Sequence, residues 1–436
     1  MIGRAARWLS LLVVPVLALF ALAACGGEEE DSAATPTETA AASPEASPAV
    51  EEVPGVTDTE IKLGTHLPLS QTPAAAYAPI GNGMRVYFDY INDTQGGVYG
   101  RKITLLIGDD HYNPPDTVEV VRKLVEQDKV FAIVGGLGES THLAVYKYLE
   151  ERGVPDLFIS SGISEWTEPL VRTRFGGNPV YITEGEMLGQ YIAENHDGKK
   201  LGLLLQNDEF GFEGGDGILR GIEGSDVEVV ATEYYEEVEW DVTAQAQRLK
   251  NAGAEVVAAY AIPPPAASLV KAAREILNWD APIIVTGVDA TDLFIDLAGA
   301  ENAEGVVSVV FGHMVYETDV LGVQTHYEMM ERYGRGVPVS NFTLYGAAVA
   351  YVLVEGLQRA GPNLTRDTLI DALESICDFH PDPEVDVSMA PVSMSPTDHR
   401  PFEIEVYMKV EDGKWVAFGE PVDFESTREC PPQQEQ

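Results

Sequence analysis

From residue 60 onward, apolar positions switch between two periods. "EIKLGTH" reads as a strand, and residues 79–94, "PIGNGMRVYFDYINDT", place Met84, Tyr87, Phe88 and Ile91 on one helical face. "GGVYGRK" is a turn, and "ITLLIGDD" is a strand with polar residues at its carboxyl end. "NPPDTVEVVRKLVEQD" opens on Asn and prolines and carries Val118, Val121, Leu124 and Val125 on one face, a helix with start signals. "KVFAIVGG" reads as a buried strand, "ESTHLAVYKYLEERG" as one helix after it, and "VPDLFISS" as a further strand. An order of β-α-β-α-β-α-β predicts a parallel, doubly wound sheet.

A second run repeats the scheme. "YITEGEMLGQYIAENH" is helical, "KKLGLLLQND" a strand, and the glycine-rich "FEGGDGILRGIEG" a weak helix. "VEVVATEYY", "AEVVAAYAI", "APIIVTGV" and "EGVVSVVFG" are strands, with helices over "DVTAQAQRLKNAG" and "PAASLVKAAREILNW". Helices near 319–334, 341–361 and 365–377 follow, then a strand pair around the turn at 411–413. The expected fold class is therefore α/β, with two lobes of similar size, each holding its own sheet. The pattern alone does not say how the lobes connect.

The chain of 436 residues is long enough for two or three domains and carries a formal charge of −42. That balance excludes nucleic acid as a partner, because phosphate binding needs lysine and arginine to displace counterions. The first residues are not part of a fold. Arg4 and Arg7 precede "WLSLLVVPVLALFALAA", and a charged start followed by an apolar run and small residues is an export signal. It ends in Leu22-Ala23-Ala24-Cys25, which resembles a bacterial lipobox and implies cleavage before Cys25 and lipid on its sulfur. Residues 25–56 contain almost no bulky apolar side chain and read as a disordered acidic tether. The expected location is outside the cytoplasm, lipid-anchored to the outer face of the cell membrane. Cys377 and Cys430 remain, either as two free thiols or as a disulfide worth about 4 kcal/mol.

The stretch from "IKLGTHLPLS" through "INDTQGGVYGRKI" and "DDHYNPPDTVEVVRKLVEQDKVFAIVG", with "LLLQNDEFG" further on, resembles the solute-binding lipoproteins of ABC transporters. The branch is the branched-chain amino-acid (leucine/isoleucine/valine) binding type, and the resemblance covers roughly residues 57–420. It implies two lobes joined by three crossovers, closing on a small solute in the cleft between them. The expected boundaries are a signal peptide at 1–24, a tether at 25–56, lobe one at 57–178 and lobe two at 179–310. A return to lobe one at 311–390 and a return to lobe two with the tail at 391–436 complete the chain. Permease and ATPase subunits are the implied partners, and a monomer is expected.

Ligands of open α/β sheets sit beyond the carboxyl ends of strands. That rule selects "LPLSQTPAAAY", "GGLGEST", "SSGISEW", "QNDEFGF" and "YAIPPPA". The resemblance implies a hydroxyl and backbone amides at "GGLGEST" for an amino acid's carboxylate, and a second-lobe acid for its ammonium. This sequence departs at both places. Glu139 stands where the first hydroxyl belongs, and Pro263-Pro264-Pro265 stand where the acid belongs. Phe210 replaces an aromatic hydroxyl, while Tyr77 matches a first-lobe aromatic. Glu139 either favours the helix dipole from the first turn, worth about 0.3–1 kcal/mol, or faces the cleft and selects a neutral or cationic solute. The candidate ligand-binding residues are Tyr77, Gly138, Glu139, Ser140, Thr141, Ser164, Trp166, Tyr181, Phe210 and Tyr260.

Catalytic patterns are missing. "SGISEW" lacks the second glycine of a nucleophile elbow, "HYEMMER" has one histidine, and "GGLGEST" lacks the lysine of a phosphate-binding loop. "NDEFGFEGGDG" does not fit a calcium loop, so neither metal nor cofactor is expected. Asp109 and Asp110 are expected to cap the helix at Pro114, with His111 exposed. The reading is a solute-capture protein, with an aromatic or hydrophobic solute favoured over a standard branched-chain amino acid. A ligand sensor working with a receptor, and an extracytoplasmic enzyme, are the alternatives.

Overall fold

Two twisted sheets organise the chain, and each is built mainly from strands buried on both faces. The structure, a computed structural model, describes residues 52–423. The expected signal peptide, most of the tether, Cys25 and Cys430 lie outside these residues; Cys377 is disulfide-bonded.

The first sheet is parallel throughout and runs in the order β2-β1-β3-β4-β5. Its strands are β1 (Glu60–Leu67), β2 (Lys102–Asp109), β3 (Ala132–Val134), β4 (Asp156–Ile159) and β5 (Arg174–Gly176). Helices cover both faces, so β3 and β4 are wholly buried and continuously apolar rather than alternating, apart from Asp156. β5 was not anticipated, because three residues carry no period that a sequence can show.

The second sheet has the order β12-β11-β10-β9-β8-β6-β7. It comprises β6 (Lys200–Gln206), β7 (Glu228–Tyr235), β8 (Val256–Tyr260), β9 (Ile283–Val285), β10 (Val307–Val310), β11 (Ile404–Glu411) and β12 (Lys414–Asp423). β11 and β12 pair antiparallel as a hairpin added to the parallel strands.

Connections between the sheets follow from this order. After β5 the chain enters helix Tyr181–Asn195 against the second sheet, and after β10 it returns through helices Leu321–Tyr333 and Asn341–Ala360, which pack on helix Pro79–Thr94 of the first lobe. The return stays on the first lobe beyond the expected boundary at 390. His399 accepts a hydrogen bond from the Gly176 amide (3.1 Å), and its ring stacks on Phe175 at 3.8 Å. Residues 53–56, expected as the tether's end, are also part of the fold. Val53 and Val56 pack on the core, and the Lys62 amide donates to the Gly55 carbonyl (2.8 Å).

Three local expectations change. The single helix after β3 is broken into Glu139–Leu143 and Tyr146–Glu151, with Val145 in a non-helical conformation. The weak helix is a full one over Glu209–Gly221, capped by the Asp208 carboxylate accepting from the Gly211 amide (3.3 Å). A Cβ on Gly217 would lie 2.3 Å from the Ile182 carbonyl, so its glycines trade propensity for close helix packing. At Pro114 the capping residue is Asn113, not Asp109 or Asp110. Asp109 instead holds the Leu69 amide and the Ser70 hydroxyl, Asp110 turns inward, and His111 is half-exposed between Asp109 and Asp116. Among the described residues no helix is long and apolar enough to cross a membrane.

Candidate functional site

Where the carboxyl ends of the two sheets face each other lies a cavity with ≈ 130 Å³ open to the centres of water molecules. Bonds between the lobes hold the cleft together. Ser164 of the first lobe gives its amide (2.8 Å) and hydroxyl (2.6 Å) to Glu213 of the second. Asp292 and Asn341, each opening a helix, exchange amide-to-side-chain hydrogen bonds of 3.1 and 3.0 Å.

The wall is largely aromatic and aliphatic. Tyr77 meets Phe342 edge-on at 4.8 Å, Phe311 stacks on Phe402 at 5.3 Å, and Phe210 meets Tyr181 edge-on at 4.8 Å. Ile80, Leu137, Ile262 and Val288 add aliphatic surface. Asn178, whose side-chain oxygen accepts from the Tyr345 hydroxyl (2.8 Å), Asn341, Thr291 and His313 supply polar edges. No lysine or arginine among the described residues lines the cavity.

Of the candidates read from the sequence, Tyr77, Gly138, Glu139, Tyr181 and Phe210 lie on this wall. Five do not. The Thr141 hydroxyl donates to the Leu137 carbonyl (2.6 Å), and Ser140 lies beside Glu237. Ser164 is taken by Glu213, and Tyr260 is buried, its hydroxyl held by Glu184 (2.6 Å). Trp166 packs behind the wall against His142 and Tyr146. The rule that selects Ser140 and Thr141, a segment after a strand's carboxyl end, places the turn but not the direction of its side chains.

Glu139 is 4% exposed and its carboxylate is closely held. Ser161 donates at 2.7 Å to one oxygen and Tyr112 at 3.1 Å to the other, and the Tyr181 hydroxyl stands near the same group. Trp166 in turn donates its indole N–H to the Ser161 oxygen (2.8 Å), fixing that hydroxyl's direction. Burial pushes the Glu139 carboxyl up, and the hydroxyl donors oppose that shift by stabilising the ionised form. Burial, with the nearby acids adding to it, raises the phenols of Tyr77, Tyr112 and Tyr181 well above their usual range, so each keeps its proton as a donor.

The glycines of "GGLGEST" serve packing. A Cβ on Gly136 would lie 2.5 Å from His66 Nε2, and Gly138, at φ 100°, has the Tyr112 ring against it. Beneath the turn runs a buried chain. His66 Nδ1 bonds Asp110 (2.8 Å), His66 Nε2 bonds His142 Nδ1 (2.9 Å), and His142 Nε2 bonds Asp156 (2.7 Å). Burial lowers the His142 pKa against the pull of Asp156. Sequence reading missed this chain, since residues 66, 110, 142 and 156 share no short spacing.

Two acids also stand behind the second-lobe wall. Glu184 is satisfied by Tyr260, Thr286 (2.6 Å) and the Gly287 amide (3.0 Å). Asp289 is fully buried with no partner for either carboxyl oxygen among the described residues, and burial with Glu184 nearby pushes its pKa well up.

The architecture matches known proteins along nearly its whole length. An amino acid binding protein of Pseudomonas aeruginosa is 26% identical over 269 residues, 62% of this chain and 70% of that one. A branched chain amino acid ABC transporter protein from Thermus thermophilus, solved with bound valine, superposes with a TM-score of 0.75 at 21% identity, covering 85% of this chain and 98% of that one. A fatty acid ABC transporter substrate-binding protein from Thermomonospora curvata gives 0.74 at 22% identity, covering 88% and 97%. Residues 60–414 match the periplasmic binding protein family, and the chain belongs to it.

Proposed function

We propose that this chain is the extracytoplasmic solute-binding component of an ABC importer, and that its solute is small, largely apolar and free of a carboxylate. The observation that carries the reading is the wall itself, aromatic and without lysine or arginine, with the buried Glu139 carboxylate on it. A solute carboxylate there would be desolvated beside the Glu139 carboxyl with no lysine or arginine on the wall to offset it. The volume suits roughly ten water-sized spheres, the scale of a single-ring or short-chain compound. Where the amino-acid binders it resembles hold an ammonium, this chain has Pro263, Pro264 and Pro265 opening a helix.

Binding is by closure. Contacts to both lobes favour the closed form by the solute's differential affinity for it. Lipid on Cys25 would tether the chain to the membrane, and permease and ATPase subunits would receive the solute from a monomer. A thermal-shift panel of benzamide, indole, phenol, benzoate, valine and leucine tests this. A neutral binder at a hundredfold excess over its Kd stabilises by about 2.7 kcal/mol. Valine, leucine or benzoate as the strongest stabiliser would reject the proposed solute class.

A further inference from the structure

Beside its own backbone amide, the Glu139 carboxylate is met by three hydroxyls, each from an element other than its own. Tyr112 comes from the loop after β2 and Ser161 from the loop after β4. Tyr181 stands at the first turn of the helix that opens the second lobe. Ser161 is itself oriented by Trp166. Hydroxyls converging from three segments form a receptor shaped for one carboxylate, and they meet at the cavity wall. The side chain that fills this receptor reaches it from within the protein, from the first turn of a five-residue helix.

We propose that Glu139 is the built-in occupant of a carboxylate receptor, and that it sets specificity by denying this receptor to anionic solutes. The inference rests on the cavity being the solute site, and it assigns the residue that decides which solutes enter. In wild type the hydroxyls are consumed and a second carboxylate finds the Glu139 carboxyl in its place. Removing the side chain frees Tyr112 and Ser161 to accept an external carboxylate and leaves room for it. A propionate ion carries the carboxylate of a glutamate side chain on the same two-carbon stem, so it probes the receptor without depending on the physiological solute.

The experiment is chemical rescue in the full chain. Glu139→Ser, wild type and the double variant Glu139→Ser/Tyr112→Phe are titrated with propionate and with propionamide, read by melting temperature and calorimetry. Propionate is expected to raise the Tm of Glu139→Ser, to bind it about tenfold more tightly than propionamide does, and to leave wild type unchanged. Tyr112→Phe is expected to erase most of that preference. Benzoate is expected to bind Glu139→Ser and not wild type. If Glu139→Ser does not fold alone, refolding yield with propionate against propionamide reads the same contrast. Equal effects of the two probes, no rescue by either, or wild type binding benzoate as tightly as the variant would overturn the proposal. A wild-type panel in which no compound stabilises the chain would instead strike the proposed solute and leave the rescue result standing.

Discussion

Glu213 is half-buried, and its two bonds to Ser164 exist only while the lobes are together. Glu213→Ala therefore perturbs closure rather than folding. A hydrogen bond to a charged group is worth about 1.5–3 kcal/mol when water is excluded. Glu213 is partly exposed and recovers water on opening, so the pair together contributes about 1–2 kcal/mol to closure. That shifts the closed-to-open ratio by roughly 5–30-fold toward open. The solute's apparent affinity weakens by no more than this factor, because only the closed population is taxed. Ser164→Ala removes the 2.6 Å bond and keeps the amide bond, so it should show a smaller shift of the same sign. Small-angle scattering of the solute-free chain gives the closed fraction, and calorimetry gives Kd. The unfolding midpoint should move little, since each lobe keeps its own core. Unchanged closed fraction and Kd in Glu213→Ala, or a large loss of melting temperature with neither, would refute the reasoning.

Other positions give separate readouts. His326 is fully buried with its pKa lowered to about 4 by desolvation, so its neutral form contributes stability that is complete above the unfolded value near 6.5 and lost as pH falls through 4. About 3 kcal/mol of acid-side destabilisation should vanish in His326→Gln, measured by denaturant melts at pH 7 and pH 4. Gly136→Ala would press a methyl against His66 and His142 and should cost about 1–3 kcal/mol of unfolding free energy. Phe210→Ala should lose about 3–5 kcal/mol in melts and weaken solute binding as well, because the ring, 2% exposed, packs on Tyr181 and Tyr260 while also forming wall; binding lost at unchanged stability would contradict that packing.

The sequence by itself determined the α/β alternation, both lobes, and the segments that supply the site. Those follow from apolar periods and turn signals, which are local and survive in a single chain. It also marked Glu139 as out of place in "GGLGEST". What it did not carry is every feature made by residues far apart in number. The Asp110–His66–His142–Asp156 chain and the Ser161 and Tyr112 hydroxyls on Glu139 arise only when the strands of the first sheet align, and the Phe311, Phe342, Tyr345 and Phe402 part of the wall only when the return segment closes the cleft. Direction was equally hidden. Ser164, Thr141 and Tyr260 sit in the right segments but point to Glu213, a backbone carbonyl and Glu184. A side chain's position along a loop is written in sequence, but its partner is chosen by which neighbour the tertiary packing brings within hydrogen-bond reach.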